Sequence, residues 1–155
     1  MRPEPIIIAI GFLLAAYAYY VEYRFEEAKR MGTSYKAACD IGIFSCTKVF
    51  SSEFGYASQF FGLPKIPNSL AGMAFYTAQL IIERKTPLLL FSSIISCIGS
   101  VGLFYILTVK MNDFCIVCFS VYVVNFTTLF LAYRRWKKLG QEYHQTMKKK
   151  EVKSN

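Results

Sequence analysis

Four long apolar stretches limit what this chain can fold into. They are IIIAIGFLLAAYAYYV (about 6–21), PNSLAGMAFYTAQLII (67–82), PLLLFSSIISCIGSVGLFYILTV (87–109) and FCIVCFSVYVVNFTTLFLAY (114–133). A bilayer core of about 30 Å is crossed by about 20 helical residues. In lipid each backbone polar group must be paired within its own segment, so these stretches read as helices rather than isolated strands. The first two are short for full spans and need tilt or extension into flanking residues. The expected fold is all-α: an integral membrane four-helix bundle in residues 1–135, followed by a basic tail in 136–155. A secretory signal, built from Arg2, the first apolar run and AAYA, is the rival reading of the N-terminus. An uncleaved first span is the expectation carried forward.

Charge then sets an orientation. Of a formal net charge of +8, much lies in RRWKKLG and KKKEVK after the fourth stretch, and ERK separates the second from the third. Basic residues beside spans mark the cytoplasmic side. Four spans therefore put both termini in the cytoplasm. The loop of about residues 22–66 and the turn KMND then face the lumen. The tail suits anionic lipid headgroups better than nucleic acid.

That orientation gathers the cysteines. Of the five, Cys39 and Cys46 lie in the first loop, and Cys115 and Cys118 open the fourth stretch. All four meet at one face, in a compartment where disulfides form and persist. Cys97, in mid-span, reads as a small packing residue. Residues three apart on a helix share a face, and Asn112 and Asp113 are suitable caps for a helix starting near Phe114. The helix dipole would then favour thiolates at Cys115 and Cys118. Four thiolates invite comparison with zinc. The spacing C-x6-C, then C-x2-C after 68 residues, with the one His far away in the tail, argues against a metal.

Other residues gain meaning from this dithiol. Tyr122 follows Cys118 by four positions and extends the same stripe. Asn68 starts the second stretch, as a helix cap or as an amide donor inside an apolar cavity. Phe50, Phe54, Ala57 and Phe61 recur at near-helical spacing, as an interfacial helix or a lid would. Asn125 opens a glycosylation pattern, NFT, but lies within the fourth stretch. The residues alone point to a dithiol relay between a soluble partner and a lipid-soluble one.

Three segments carry a resemblance. CDIGIFSCTKVFSS, NSLAGMAFYTAQL and DFCIVCFSVY, in that order among four spans, closely resemble the vitamin K epoxide reductase family. The resemblance implies a four-helix bundle with a lumenal cap over a quinone pocket. It implies that Cys118 attacks the substrate and that Cys115 resolves the product. Cys46 then exchanges with Cys115, and Cys39 receives electrons from thioredoxin-like proteins of the endoplasmic reticulum. Asn68 and Tyr122 are implied as contacts to the quinone oxygens, and Phe50 and Phe75 as apolar pocket residues. No permanently bound cofactor and no metal is expected; vitamin K quinone or epoxide is substrate. A monomer with a separate reductant is expected, since no thioredoxin-like domain is fused here. The first cysteine pair has one residue fewer between its members than is usual in the family, and Ala71 and Phe54 stand where larger or different aromatics are expected.

The implied activity is dithiol-dependent reduction of vitamin K epoxide to quinone and of quinone to hydroquinone. The same cysteines running as a quinone-coupled thiol oxidase, making disulfides in secretory proteins, form the alternative. A four-span structural protein with two inert disulfides is a third reading.

Overall fold

The computed structural model of the chain describes residues 2–40, 45–52, 55, 56, 62, 64, 66–112 and 114–154; at 50, 51, 111 and 150–154 it describes the backbone alone. Regular structure among the described residues is helical, without a β-sheet. The five α-helices are α1 (Glu4–Arg30), α2 (Cys46–Ser51), α3 (Asn68–Ile82), α4 (Thr86–Tyr105) and α5 (Ile116–Ser154). A π-helical turn, Ile106–Met111, continues α4.

Among the described residues, three helices are long and apolar enough to cross a membrane: α1, α4 with its π turn, and α5. The second predicted stretch is helical, but α3 has 15 residues. Its length of about 22 Å at 1.5 Å per residue is short of a full crossing. The first helix runs well past its apolar stretch. Pro5 fits its first turn, where a missing N–H is harmless, and Lys29 and Arg30 complement the dipole at its end. Gly32, at φ +70°, then reverses the chain. Gly32 N–H donates to Lys29 O (3.3 Å) and Thr33 N–H to Ala28 O (2.9 Å), pairing carbonyls that the helix leaves open.

The start of the last helix differs from expectation. Asn112 does not cap it. It adopts the left-handed conformation, φ 50°, and terminates the π turn. Asparagine tolerates that region because its short polar side chain bonds locally. The helix begins at Ile116, and Cys115 takes the capping place: Cys118 N–H donates to Cys115 Sγ at 3.3 Å. Asp113 lies outside the described residues, as do Phe54, Ala57 and Phe61 of the expected lid. Phe50 falls on the short helix α2. The basic tail continues α5 as helix to Ser154.

Small residues bring the helices together. On α1, Gly11 lies under the Tyr76 ring, where a Cβ would sit 2.5 Å from Cε1; Gly72 of α3 meets Ala15. A buried polar chain joins three helices at mid-depth. Tyr76 donates from its hydroxyl to Asn125 Oδ1 (2.8 Å), and Asn125 Nδ2 donates to Ser100 Oγ (2.7 Å). Asn125, set aside above as a glycosylation site, is thus an internal link. At the far end Arg135 donates to Glu83 O (2.8 Å) and Arg84 O (3.0 Å), closing the C-terminus of α3.

Candidate active site

The first loop reaches the start of α5 through one backbone bond: Ser45 N–H donates to Phe114 O at 2.9 Å. That bond seats α2 beside the cysteines. Cys39 and Cys46 form a disulfide. Both are buried, with Val21, Leu107, Cys115 and Val117, in one apolar cluster. Cys46 Sγ lies 3.8 Å from Cys115 Sγ. Cys115 and Cys118 are free thiols, as is Cys97, which is buried in α4.

A second device holds this loop, and the sequence reading missed it. Asp40 Oδ1 accepts from Thr47 N–H (3.0 Å) and Oδ2 from Ala37 N–H (3.1 Å). The Thr47 hydroxyl also donates to Asp40 Oδ2. Partial burial pushes the Asp40 carboxyl up, but the donors from Thr47, Ala37 and Cys46 outweigh it and hold the group below its ordinary range. The ligand atoms of Cys39, Asp40 and Cys46 lie within 4.8 Å of one another. The two sulfurs are bonded to each other, and the carboxylate is engaged by its donors. The cluster is a clasped disulfide.

Cys115 sits just ahead of the spanning helix. Its thiol is held below the ordinary cysteine value, first by a hydrogen bond from the Cys118 thiol. Burial opposes this, and the N–H groups of Cys118 and Val117 add to it. The two thiols thus differ in place: Cys115 sits at the helix head and accepts hydrogen bonds, and Cys118 lies one turn into the helix.

Cys118 also faces a cavity between α1, α3, α4 and α5. Its walls are apolar, with Ala15, Ala18, Val49, Leu103, Leu107 and Val121 prominent. Its polar residues are few: Glu22, Asn68, Ser69, Cys118, Tyr76 and Tyr122. Asn68, in the first turn of α3, and Tyr122, one turn beyond Cys118 on α5, therefore share one cavity. Tyr122 is buried and stacks edge-to-face on Phe104 with centroids 6.1 Å apart. Phe75 does not line the cavity. It packs into a second cluster around Ile8, Leu89 and Ala132, edge-to-face with Tyr76 at 6.0 Å. Its neighbour Tyr76 takes the wall because successive helix positions point about 100° apart.

The comparison with known proteins matches this arrangement. The model of the vitamin K epoxide reductase family matches residues 5–133. That range holds both cysteine pairs, α3 and the cavity. The chain belongs to the vitamin K epoxide reductase family. It is 35% identical over 138 residues to vitamin K epoxide reductase complex subunit 1 of Mus musculus, covering 81% of this chain and 83% of that protein. The Rattus norvegicus protein of the same name gives the same identity and coverage. As a member of the family, the chain is a membrane oxidoreductase of the quinone/epoxide type, with a redox-capable cysteine set in place.

Glu22, Asp40 and Thr47 escaped the sequence reading. Asp40 carried a faint signal, since D and T directly flank the two loop cysteines on their inner and outer sides. Glu22 had one too: a carboxylate just past the apolar stretch of α1, with no basic residue three or four positions away.

Proposed function

We propose that the protein reduces vitamin K epoxide to the quinone, and the quinone to the hydroquinone, with electrons relayed through its two cysteine pairs. The observation that carries this reading is a two-sided one. Cys115 Sγ lies 3.8 Å from Cys46 Sγ, while Cys118, one helical turn on, lines the cavity with Asn68 and Tyr122.

The Cys118 thiol gives up its proton, and the Cys118 thiolate adds to a ring carbon of the substrate while Cys115 waits as the thiol. Cys115 then attacks Cys118 Sγ. The S–S bond forms, the C–S bond breaks, and its electron pair passes to the ring. Two thiol protons leave the dithiol. With the epoxide they end in water; with the quinone they end on the two oxygens. Negative charge develops on oxygen in both reactions. Fixed donors in a dry cavity, Asn68 and Tyr122, stabilise it better than water does. The apolar walls take the ring and its isoprenoid chain. By resemblance Phe50, whose side chain lies outside the described part of the structure, belongs to those walls, and Phe75 supports them from behind through Tyr76.

Recharging runs the other way along the same contact. Cys46 exchanges with the Cys115–Cys118 disulfide, and Cys39 accepts electrons through Cys46 from thioredoxin-like proteins. A closed Cys39–Cys46 bond beside free Cys115 and Cys118 is the distribution left once electrons have moved inward. We place the chain in the endoplasmic reticulum membrane as a monomer. Residues 1–135 are the catalytic unit, with α3 completing a four-helix bundle under a lumenal cap. Both termini are cytoplasmic, and the 136–155 extension lies near anionic lipid.

The test is quinone formation from vitamin K epoxide by detergent-purified protein with a small dithiol, for wild type, Cys39→Ala and Cys118→Ala. Turnover lost with Cys118→Ala and kept with Cys39→Ala is expected, because a small dithiol bypasses the outer pair. Full turnover in Cys118→Ala refutes the assignment. A wild type that binds quinone without reducing epoxide turns the reading toward disulfide formation.

A further inference from the structure

Proton delivery is the part of this chemistry that the cysteines and the two amide and phenol donors leave open. One buried group on the cavity wall has no role in the relay. Glu22 of α1 is 5% exposed. Its Oε2 accepts from Ser69 Oγ at 2.8 Å, and Ser69 is the residue next to Asn68. Its Oε1 is buried and makes no close hydrogen bond among the described residues, with the Tyr56 hydroxyl as a further donor near the carboxyl group. The cavity itself is lined by Glu22 together with Asn68, Ser69, Cys118 and Tyr122.

An ionised carboxylate buried with one weakly satisfied oxygen is costly. Among the described residues, the titratable groups around Glu22 offer no cation. They are Glu26 on its own helix and Tyr56 from the first loop, with Cys118 and Tyr122 across the cavity on α5. A neutral carboxyl group is different. One oxygen is held by Ser69, and the other can carry a hydrogen beside the cavity that Glu22 lines. Packing alone is better served by an apolar side chain at this position.

We infer that Glu22, as the neutral acid, is the proton donor to the substrate oxygen at the Asn68 end of the cavity. The inference rests on the reductase reading and adds the route of one proton. When the Cys118 thiolate adds to the ring, the developing oxyanion takes the Glu22 proton, and Glu22 becomes the carboxylate held by Ser69. Cys115 then closes the disulfide. In the epoxide reaction the protonated oxygen leaves as hydroxide and takes the second proton to become water. The proton released from the dithiol as it oxidises returns Glu22 to the acid. Two S–H protons are consumed and none is created.

Two measurements on the full chain in detergent test this. The first is infrared difference spectroscopy on adding vitamin K quinone. The wild type should show a perturbed protonated-carboxyl band that is absent in Glu22→Gln. The second is turnover with saturating dithiol across the neutral pH range. Glu22→Gln keeps the size and the Ser69 contact but has no acidic proton. It should lower kcat by about 100-fold with little change in KM, and it should remove the alkaline limb of the pH profile. Glu22→Asp should restore part of kcat and the limb. Ser69→Ala, which takes a donor from Oε2, should shift the limb and guards against a Glu22→Gln protein that does not fold. A Glu22→Gln enzyme within about two-fold of wild type with an unchanged profile overturns the inference. So does the absence of a carboxyl band, or a limb that Ser69→Ala leaves in place. If wild type shows the Glu22 band but reduces no substrate, the reductase reading fails while the contact to the quinone stands.

Discussion

The cysteine end of the bundle and its polar middle are built to opposite purposes. At the cysteine end, buried sulfurs sit in an apolar cluster, and Cys115 has two possible covalent partners, Cys46 and Cys118. In the proposed relay, bonding there changes in each cycle. In the middle, Tyr76, Asn125 and Ser100 form a closed chain of hydrogen bonds between α3, α5 and α4. Bonding there has one arrangement. The contrast teaches that catalysis and fold stability are assigned to different layers, so substitutions should separate them.

The largest effect is expected at the point of exchange. Cys115→Ser should lower turnover by about a thousand-fold, about 4 kcal/mol in the barrier, in steady-state assays. Its melting temperature should stay near that of wild type. Gly11→Val should do the reverse. A Cβ there meets the Tyr76 ring at 2.5 Å, and overpacking should cost about 2 kcal/mol of stability in chemical denaturation. Asn125→Ala should cost about 1 kcal/mol by the same measurement, with kcat per folded molecule retained. If Asn125→Ala instead reduces kcat at unchanged stability, the two layers are coupled and the comparison breaks.

The smallest effect concerns the clasp on the outer pair. Thr47→Val should speed hydrogen exchange at the Ala37 amide about five-fold, the equivalent of one hydrogen bond of about 1 kcal/mol. The pH sense follows from the lowered Asp40 value. A carboxyl depressed in the folded state contributes fully above its unfolded value of about 3.9, and that contribution is lost as pH falls through the folded value. Protection at the Thr47 and Ala37 amides should hold through mildly acidic conditions and fade only in strong acid. Loss of protection near pH 6 would assign the clasp to another group.

Much of this was legible from hydropathy and spacing. Four apolar stretches became α1, α3, α4 and α5, because a lipid-facing backbone has few alternatives to helix. The i, i+4 relation placed Cys118 and Tyr122 on one cavity wall. Ends were less legible. Nothing in the apolar pattern shows α1 continuing to Arg30 or α5 to Ser154, since helix persists into water on the strength of charge pairing and propensity. Asn112 is favourable both as a cap and as a left-handed stop, and only the turn geometry decides between them. Phe75 and Tyr76 are one residue apart, and which of them faces the cavity depends on how α3 is rotated against Gly11. Asp40, Thr47 and Glu22 act through partners distant in space, which no local pattern reveals.

The position of Cys115 at the head of α5 has a consequence for insulation. The residue that meets the outer disulfide and the residue that meets the cavity are joined by less than one helical turn, yet they open onto different surroundings. A small electron donor in water and a ring dissolved in lipid need never touch. In the proposed relay, what passes between them is a bond exchange within a wall of Val21, Leu107 and Val117. On that reading the partition prevents short circuits: a reactive quinone stays away from the thiols of other proteins, and soluble thiols reach the quinone only through one gate of sulfur.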